Sequence, residues 1–168
     1  MSNGIKVVKR KGHIEPLDLE KMHKMVELAC DGLAGVSASQ VEIQSGIQFY
    51  DGMSTADIQG ILVKSASDLI DLDAPNYQYV AARLLLFGLR KNLYGRIHEL
   101  PTLDDQIKRG VDKGIYDADI LKKYNADEIS VLNNIIDHNR DYLFTYAGIR
   151  QVTDKYLVQD RSTGEVYE

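Results

Sequence analysis

A mainly α-helical fold with a short N-terminal β-hairpin laid over it is the fold class that this sequence predicts. Three observations carry the prediction. From Met22 onward, apolar residues recur at three- and four-residue intervals. Asp, Ser, Thr or Asn stands at the head of these runs, and glycines close the first ones. Ahead of them, Ile5 to Lys9 and His13 to Pro16 read as two strands around a tight turn at Lys11-Gly12, where glycine adopts positive φ at little cost.

Each element has its own signal. Asp18 is a good N-cap, and Met22, Met25, Val26, Ala29 and Leu33 form the apolar stripe of the helix behind it. Gly32 and Gly35 end that helix. Ser39-Gln-Val-Glu42 reads as a capping box, which predicts a second helix running to about Tyr50 before Asp51-Gly52 breaks it. Ser54 or Thr55 caps a third, with Ile58, Ile61, Leu62, Ser65 and Leu69 facing inward. Asp73-Ala-Pro75 opens a fourth, long helix to about Leu93, because proline is tolerated in a first turn. Its inner face is Tyr77, Val80, Ala81, Leu84 and Gly88, and Tyr94-Gly95 and Pro101 close the unit. The expected division is therefore residues 1–95, a hairpin over a four-helix bundle, and residues 96–168, a more polar helical segment. In that second segment Thr102-Leu-Asp-Asp105 and Asn125-Ala-Asp-Glu128 start helices, and another spans about Tyr142 to Thr153. A C-terminal β-hairpin is predicted from Tyr156–Val158 and Glu165–Tyr167 around Asp-Arg-Ser-Thr-Gly. A lone two-stranded hairpin is marginal unless something covers it, so this segment reads as the beginning of something larger.

Composition narrows the function. With 44% apolar and 27% charged residues over 168 positions, the chain is of the soluble globular type, and the reading is cytoplasmic, with no membrane partner. The single cysteine, Cys30, excludes a disulfide framework or a cysteine-built zinc site within the chain. A net charge of −5 argues against a nucleic-acid partner. The charge is uneven, however: up to Lys24 there are six basic residues (Lys6, Lys9, Arg10, Lys11, Lys21, Lys24) against three acidic ones (Glu15, Asp18, Glu20). A hairpin carrying Lys9, Arg10 and Lys11, followed by a helix start with Lys21 in its first turn, offers N–H groups and positive charge to a small polyanion.

The order Val7-x-Lys9-Arg10-x-Gly12-x-x-Glu15-x-x-Asp18-x-x-Lys21 resembles the ATP-cone, the regulatory nucleotide-binding domain at the N-terminus of class I ribonucleotide reductase large subunits. Gln48-Phe-Tyr-Asp-Gly52, Thr55, Asp73-Ala-Pro-Asn-Tyr-Gln-Tyr79, Ala81-Ala-Arg83, Ile136-Asp-His-Asn-Arg-Asp141 and the stretch Lys155 to Glu168 are similar to those subunits too. The resemblance implies that Lys9, Arg10, Lys21 and Lys91 reach phosphates and that Val7 lies under the base or sugar. It implies that Glu15, Pro16, Leu17, Asp18, Leu19, Glu20, Lys21 and Met22 wrap the nucleotide. Thr55 would hydrogen-bond the adenine, and Gln59 would bear on the choice between ATP and dATP. Asp18 stands where bacterial relatives often have Asn, and Gln59 where they often have His or Asp. Asp accepts but does not donate, whereas Gln does both.

What the resemblance implies for function is an allosteric domain with ATP as activator and dATP as inhibitor, Mg2+ accompanying the phosphates. Its partners would be the remainder of the large subunit and the small radical-generating subunit. An oligomer is expected, with Lys24, Glu27 and Asp31 on the contact face. No catalytic residue is assigned, because thiyl-radical chemistry needs a redox cysteine pair that one cysteine cannot supply. Asp137, His138 and Asp141 have the residue types for a hard metal, but neighbours in sequence do not share a helix face, so no metal site is assigned. Two other readings stand beside this one: a helical interaction module whose hairpin is basic by accident, and a degenerate cone that has kept its shape without regulation.

Overall fold

The computed structural model describes residues 5–10, 12–46 and 48–168; Lys11, the third hairpin cation, lies outside them. The chain forms two compact units, Met1–Leu89 with Tyr142–Tyr156, and Arg90–Asp141 with Leu157–Glu168.

The first unit begins with β1 (Lys6–Val8) and β2 (Ile14–Pro16), antiparallel with Val7 opposite Glu15. Gly12 takes φ +84° in the turn between them. Beyond the predicted hairpin there is a third strand. β3 (Met53–Ser54) runs parallel to β1, pairing Val7 with Met53 and Val8 with Ser54, so the sheet order is β2-β1-β3. Two residues are too few to show a period, which is why sequence patterning misses this strand. The turn into it clasps β1: Gly52, at φ +83°, donates to Lys6 O, and Asp51 Oδ1 accepts from Lys6 N at 2.8 Å.

Helix α1 (Leu19–Cys30) is capped by Asp18, whose carboxylate accepts from Lys21 N at 2.9 Å. Helix α2 (Ala38–Gly46) starts one position before Ser39, and Ser37 Oγ accepts from Gln40 N. The predicted capping box at Ser39 is thus already inside the helix. The buried Tyr77 fixes this start: its hydroxyl accepts from Ser37 N at 2.9 Å and donates to Gln40 Oε1. The helix ends at Gly46, short of the expected Tyr50.

Helix α3 (Thr55–Asp68) is capped by Ser54, which accepts from Asp57 N at 3.0 Å. Helix α4 (Tyr77–Tyr94) runs out of the first unit into the second. Up to Phe87 it buries Tyr77, Val80, Ala81, Ala82, Leu84, Leu86 and Phe87, more than one face, as befits a central helix. Val26, Ala29, Val41 and Leu62 of the preceding helices are buried as well. Ala82 and Leu86 of α4 pack with Tyr142 and with Ile149 of a helix from far along the chain, Tyr146–Lys155. Arg83 ties these parts together: Nη1 donates to Ala29 O and, at 2.6 Å, to Asp31 O at the end of α1, and the guanidinium lies 5.5 Å from the centre of the Tyr142 ring.

The second unit holds α5 (Leu103–Asp112), α6 (Ile120–Lys123) and α7 (Ala126–Asn133); the helix Tyr146–Lys155 is α8. Both expected helix starts carry a capping box, Thr102 with Asp105 and Asn125 with Glu128. Helix α5 packs on α7 through the buried Ile107 and Ile129, and Leu103 N donates to Asn133 Oδ1 at 2.8 Å. The ring of Tyr116 packs against Gly110, where a Cβ would come within 2.2 Å of it. Near the C-terminus, an antiparallel bridge joins Gln159 to Val166. No helix among the described residues is long and apolar enough to cross a membrane.

Candidate functional site in the first unit

Sheet register decides what the basic hairpin faces. Because β1 and β3 are parallel, the chain leaves β1 toward Lys9 and Arg10 while its neighbour leaves β3 into the first turn of α3. The hairpin tip therefore lies beside the start of α3, the positive end of that helix's dipole. The start of α1, where Lys21 stands, follows the other end of the hairpin, since Leu17 N donates to Ile5 O. At about 3.3 Å per residue, the three steps from Lys6 to Lys9 set these two ends about 10 Å apart. Positive charge is thus spread along the hairpin, and the helix start beside its tip is that of α3.

Side chains alternate along extended chain, so Val7 of β1 and Lys9 just past it share a face with Glu15 and His13 opposite them. Val7 is buried at 1% exposure on that face and anchors it to the helices. Lys9 Nζ lies 2.8 Å from Glu15 Oε1, and His13 Nε2 lies 3.3 Å from Glu15 Oε2. The hydrogen bond and charge of Lys9 hold the Glu15 carboxyl below the usual carboxylate range. Partial burial lowers the Arg10 guanidinium from its ordinary value.

The other predicted residues fall as follows. Thr55 is the first residue of α3, and Ser54 rather than Thr55 supplies its cap. Asp18, Leu19, Glu20, Lys21 and Pro16 are exposed, and Leu17 and Met22 half-buried. Gln59 is buried between α3 and α4: its Nε2 donates to Leu84 O at 2.8 Å, and its Cγ lies 3.0 Å from where Gly88 would carry a Cβ. Lys91 stands on α4 past Leu89, in the second unit. Asp137 accepts from Asn139 N, and Asp141 is engaged by Arg90, so both carboxylates have structural partners. Burial pushes the Cys30 thiol up to about 11, which keeps it protonated and a poor nucleophile.

An open cleft of about 760 Å3 runs along α1 and α2. Ile5, Leu17, Leu19, Met22, Ile43 and Phe49 give it apolar walls, and Glu20, His23, Ser39 and Glu42 its polar rim. Leu17, Leu19, Glu20 and Met22 were expected at a ligand site; Ile5, His23, Ser39, Glu42 and Ile43 were not. Ile43 of α2 is 71% exposed.

His23 bridges the rim. Its Nδ1 lies 2.8 Å from Glu42 of α2 and its Nε2 3.2 Å from Glu27 of α1. Both contacts are hydrogen bonds only when both ring nitrogens carry a proton. The bond to Glu42, then its charge and that of Glu27, raise the imidazole above its ordinary 6.5. For a raised group, the stabilisation is complete below the unfolded value and is lost as pH rises through the folded one. An NMR titration of His23 is expected to give a midpoint above 6.5, and Glu42→Gln should bring it down. A midpoint that Glu42→Gln leaves in place would contradict this clip between α1 and α2.

Comparison with known proteins adds the family. The model of the ATP cone domain matches residues 5–92. The chain belongs to the ATP-cone family. It is 48% identical over all of its 168 residues to ribonucleoside-diphosphate reductase 1 subunit alpha of Escherichia coli strain K12, covering 22% of that protein. It is 46% identical to the subunit alpha of Haemophilus influenzae, again over the whole chain and 22% of the relative, and 43% identical over 166 residues to that of Enterobacteria phage T4. The chain thus spans about a fifth of the length of these relatives. The cone match takes in the three-strand sheet and α1 through most of α4, including the hairpin, the α3 start and the cleft.

Proposed function

We propose that this cone binds an adenine nucleotide and serves as the activity-regulating domain of a class I ribonucleoside-diphosphate reductase large subunit. ATP is the activator and dATP the inhibitor, with Mg2+ accompanying the phosphates. The rest of a large subunit and a small radical-generating subunit are the partners through which the signal is read.

The observation that supports this best is the parallel pairing of β1 with β3, which sets Lys9 and Arg10 beside the N-terminus of α3. Cations next to a helix N-terminus favour phosphate oxygens. Ile5, Leu17, Met22 and Phe49 in the neighbouring cleft offer apolar surface of the kind that a base needs. ATP and dATP differ by one hydroxyl, and an allosteric coupling of about 1–3 kcal/mol is on the scale of one or two hydrogen bonds. A ligand that binds both states of the holoenzyme equally would regulate nothing.

Calorimetric titration of the chain with ATP and with dATP tests the reading. Saturable binding is expected for both. In the Lys9→Ala plus Lys21→Ala variant the affinity should fall at least about tenfold, since each charge-assisted hydrogen bond contributes about 1.5–3 kcal/mol. Absence of a saturable signal at millimolar ATP would leave a helical interaction module instead. Equal binding without any differential effect of ATP and dATP on the assembled reductase would leave a cone that no longer regulates.

A further inference from the structure

The principal phosphate candidate of the hairpin already has an anion on it. Lys9 Nζ holds Glu15 Oε1 at 2.8 Å across the β1–β2 ladder. The same carboxylate has a second partner, His13 Nε2 at 3.3 Å from Oε2. The three side chains share the face whose buried anchor is Val7. A phosphate oxygen arriving at Lys9 therefore meets a carboxylate within a few ångströms, and two anions that close repel unless one moves away.

We propose that Glu15 is a built-in competitor of polyphosphate for Lys9, so that it sets the affinity threshold of the phosphate subsite, separately from any contact it makes with base or sugar. The proposal rests on the phosphate role given to Lys9 above. When phosphate takes Lys9, Glu15 turns toward His13, which sits on the same carboxylate and is exposed enough to follow it. Such an arrangement weakens binding of every polyphosphate at this subsite by a similar factor. Selection among nucleotides is then left to contacts with base and sugar. It also keeps the cation from capturing single phosphate ions, because one weakly charged ligand does not displace a carboxylate that is already in place.

Inorganic tripolyphosphate isolates this effect, because it has no base or sugar for Glu15 to touch. The whole chain is titrated by calorimetry with tripolyphosphate and, separately, with ATP, as wild type, Glu15→Gln, Lys9→Ala and the double variant. Glu15→Gln is expected to bind tripolyphosphate about two- to fivefold more tightly, the range of a partly exposed ion pair. The gain is expected to vanish in the Lys9→Ala background, where there is no cation to release. Glu15→Asp keeps the charge but is too short to hold the same contact, so it should gain as well, by less; it serves if Gln disturbs the hairpin. Unchanged or weaker tripolyphosphate binding in both Glu15 variants, with ATP binding intact, overturns the proposal and spares the nucleotide site. A gain that persists without Lys9 overturns it too. If neither wild type nor variant binds ATP, the nucleotide reading falls and this one with it.

Discussion

Replacing Phe87 by alanine is expected to destabilise the first unit by about 3–5 kcal/mol. Phe87 has no exposed surface, and it lies in the stretch of α4 that is buried on several sides. The Tyr142 ring meets it edge-on, with centroids 6.2 Å apart and planes at 75°. Such a pair adds about 0.5–1.5 kcal/mol to the burial of the rings themselves. Tyr142 comes from 55 residues further along the chain and also lies against Arg83, so emptying the Phe87 site loosens the attachment of α8. Phe87→Leu fills most of the volume and should lose far less. Urea denaturation followed by far-ultraviolet circular dichroism measures both. A cost below about 1 kcal/mol for Phe87→Ala would mean that the core collapses around the gap, against the rigidity expected of close packing.

In the second unit, Asp141→Ala is expected to cost about 3 kcal/mol, the lower end of the range for breaking a buried ion pair. Arg90 is 5% exposed, so its guanidinium is almost wholly out of water. Its Nη2 donates to Asp141 Oδ2 at 2.7 Å, and Nη1 to Ile97 O at 3.3 Å. Removing the carboxylate takes an ion-pair partner from a buried guanidinium, whereas Arg90→Met removes the charge that must be desolvated. Arg90→Met should therefore be the milder variant, and Asp141→Asn intermediate, since it keeps a hydrogen-bond acceptor. The lower end of the range applies because the Asp141 side chain is about a third exposed. Should Arg90→Met prove the more damaging of the two, packing of the arginine stem, not pairing of its head, would be what matters here.

Much of the local structure was legible without coordinates. Asp18, Ser54, Thr102 and Asn125 all cap the helices expected of them, because an N-cap is a contact within four residues. The cap of α2 was not, because its selection depends on Tyr77, 40 residues away, whose hydroxyl holds Ser37 N. The strand β3 was hidden for a similar reason: its two residues are extended because β1 pairs with them.

The candidate site divides along the same line. The basic hairpin and the order of residues from Val7 to Lys21 are visible in the sequence and are enough to indicate the family. The partner that each charge meets is not. Nothing in the order of residues says that Lys9 is held by Glu15, that the buried Gln59 amide goes to Leu84 O, or that His23 joins Glu42 to Glu27.

By itself, then, the sequence determined where helices begin, that a cationic hairpin precedes them, and which family the pattern belongs to. Capping, turn and amphipathic preferences act over a few residues and are written in neighbouring letters. Only the tertiary structure decided that the hairpin tip lies beside α3, that Tyr142–Tyr156 joins the first unit, and which carboxylate occupies Lys9. Those outcomes depend on strand register and on contacts between distant segments, whose free energy comes from burial and charge pairing that exist only once the chain has closed on itself.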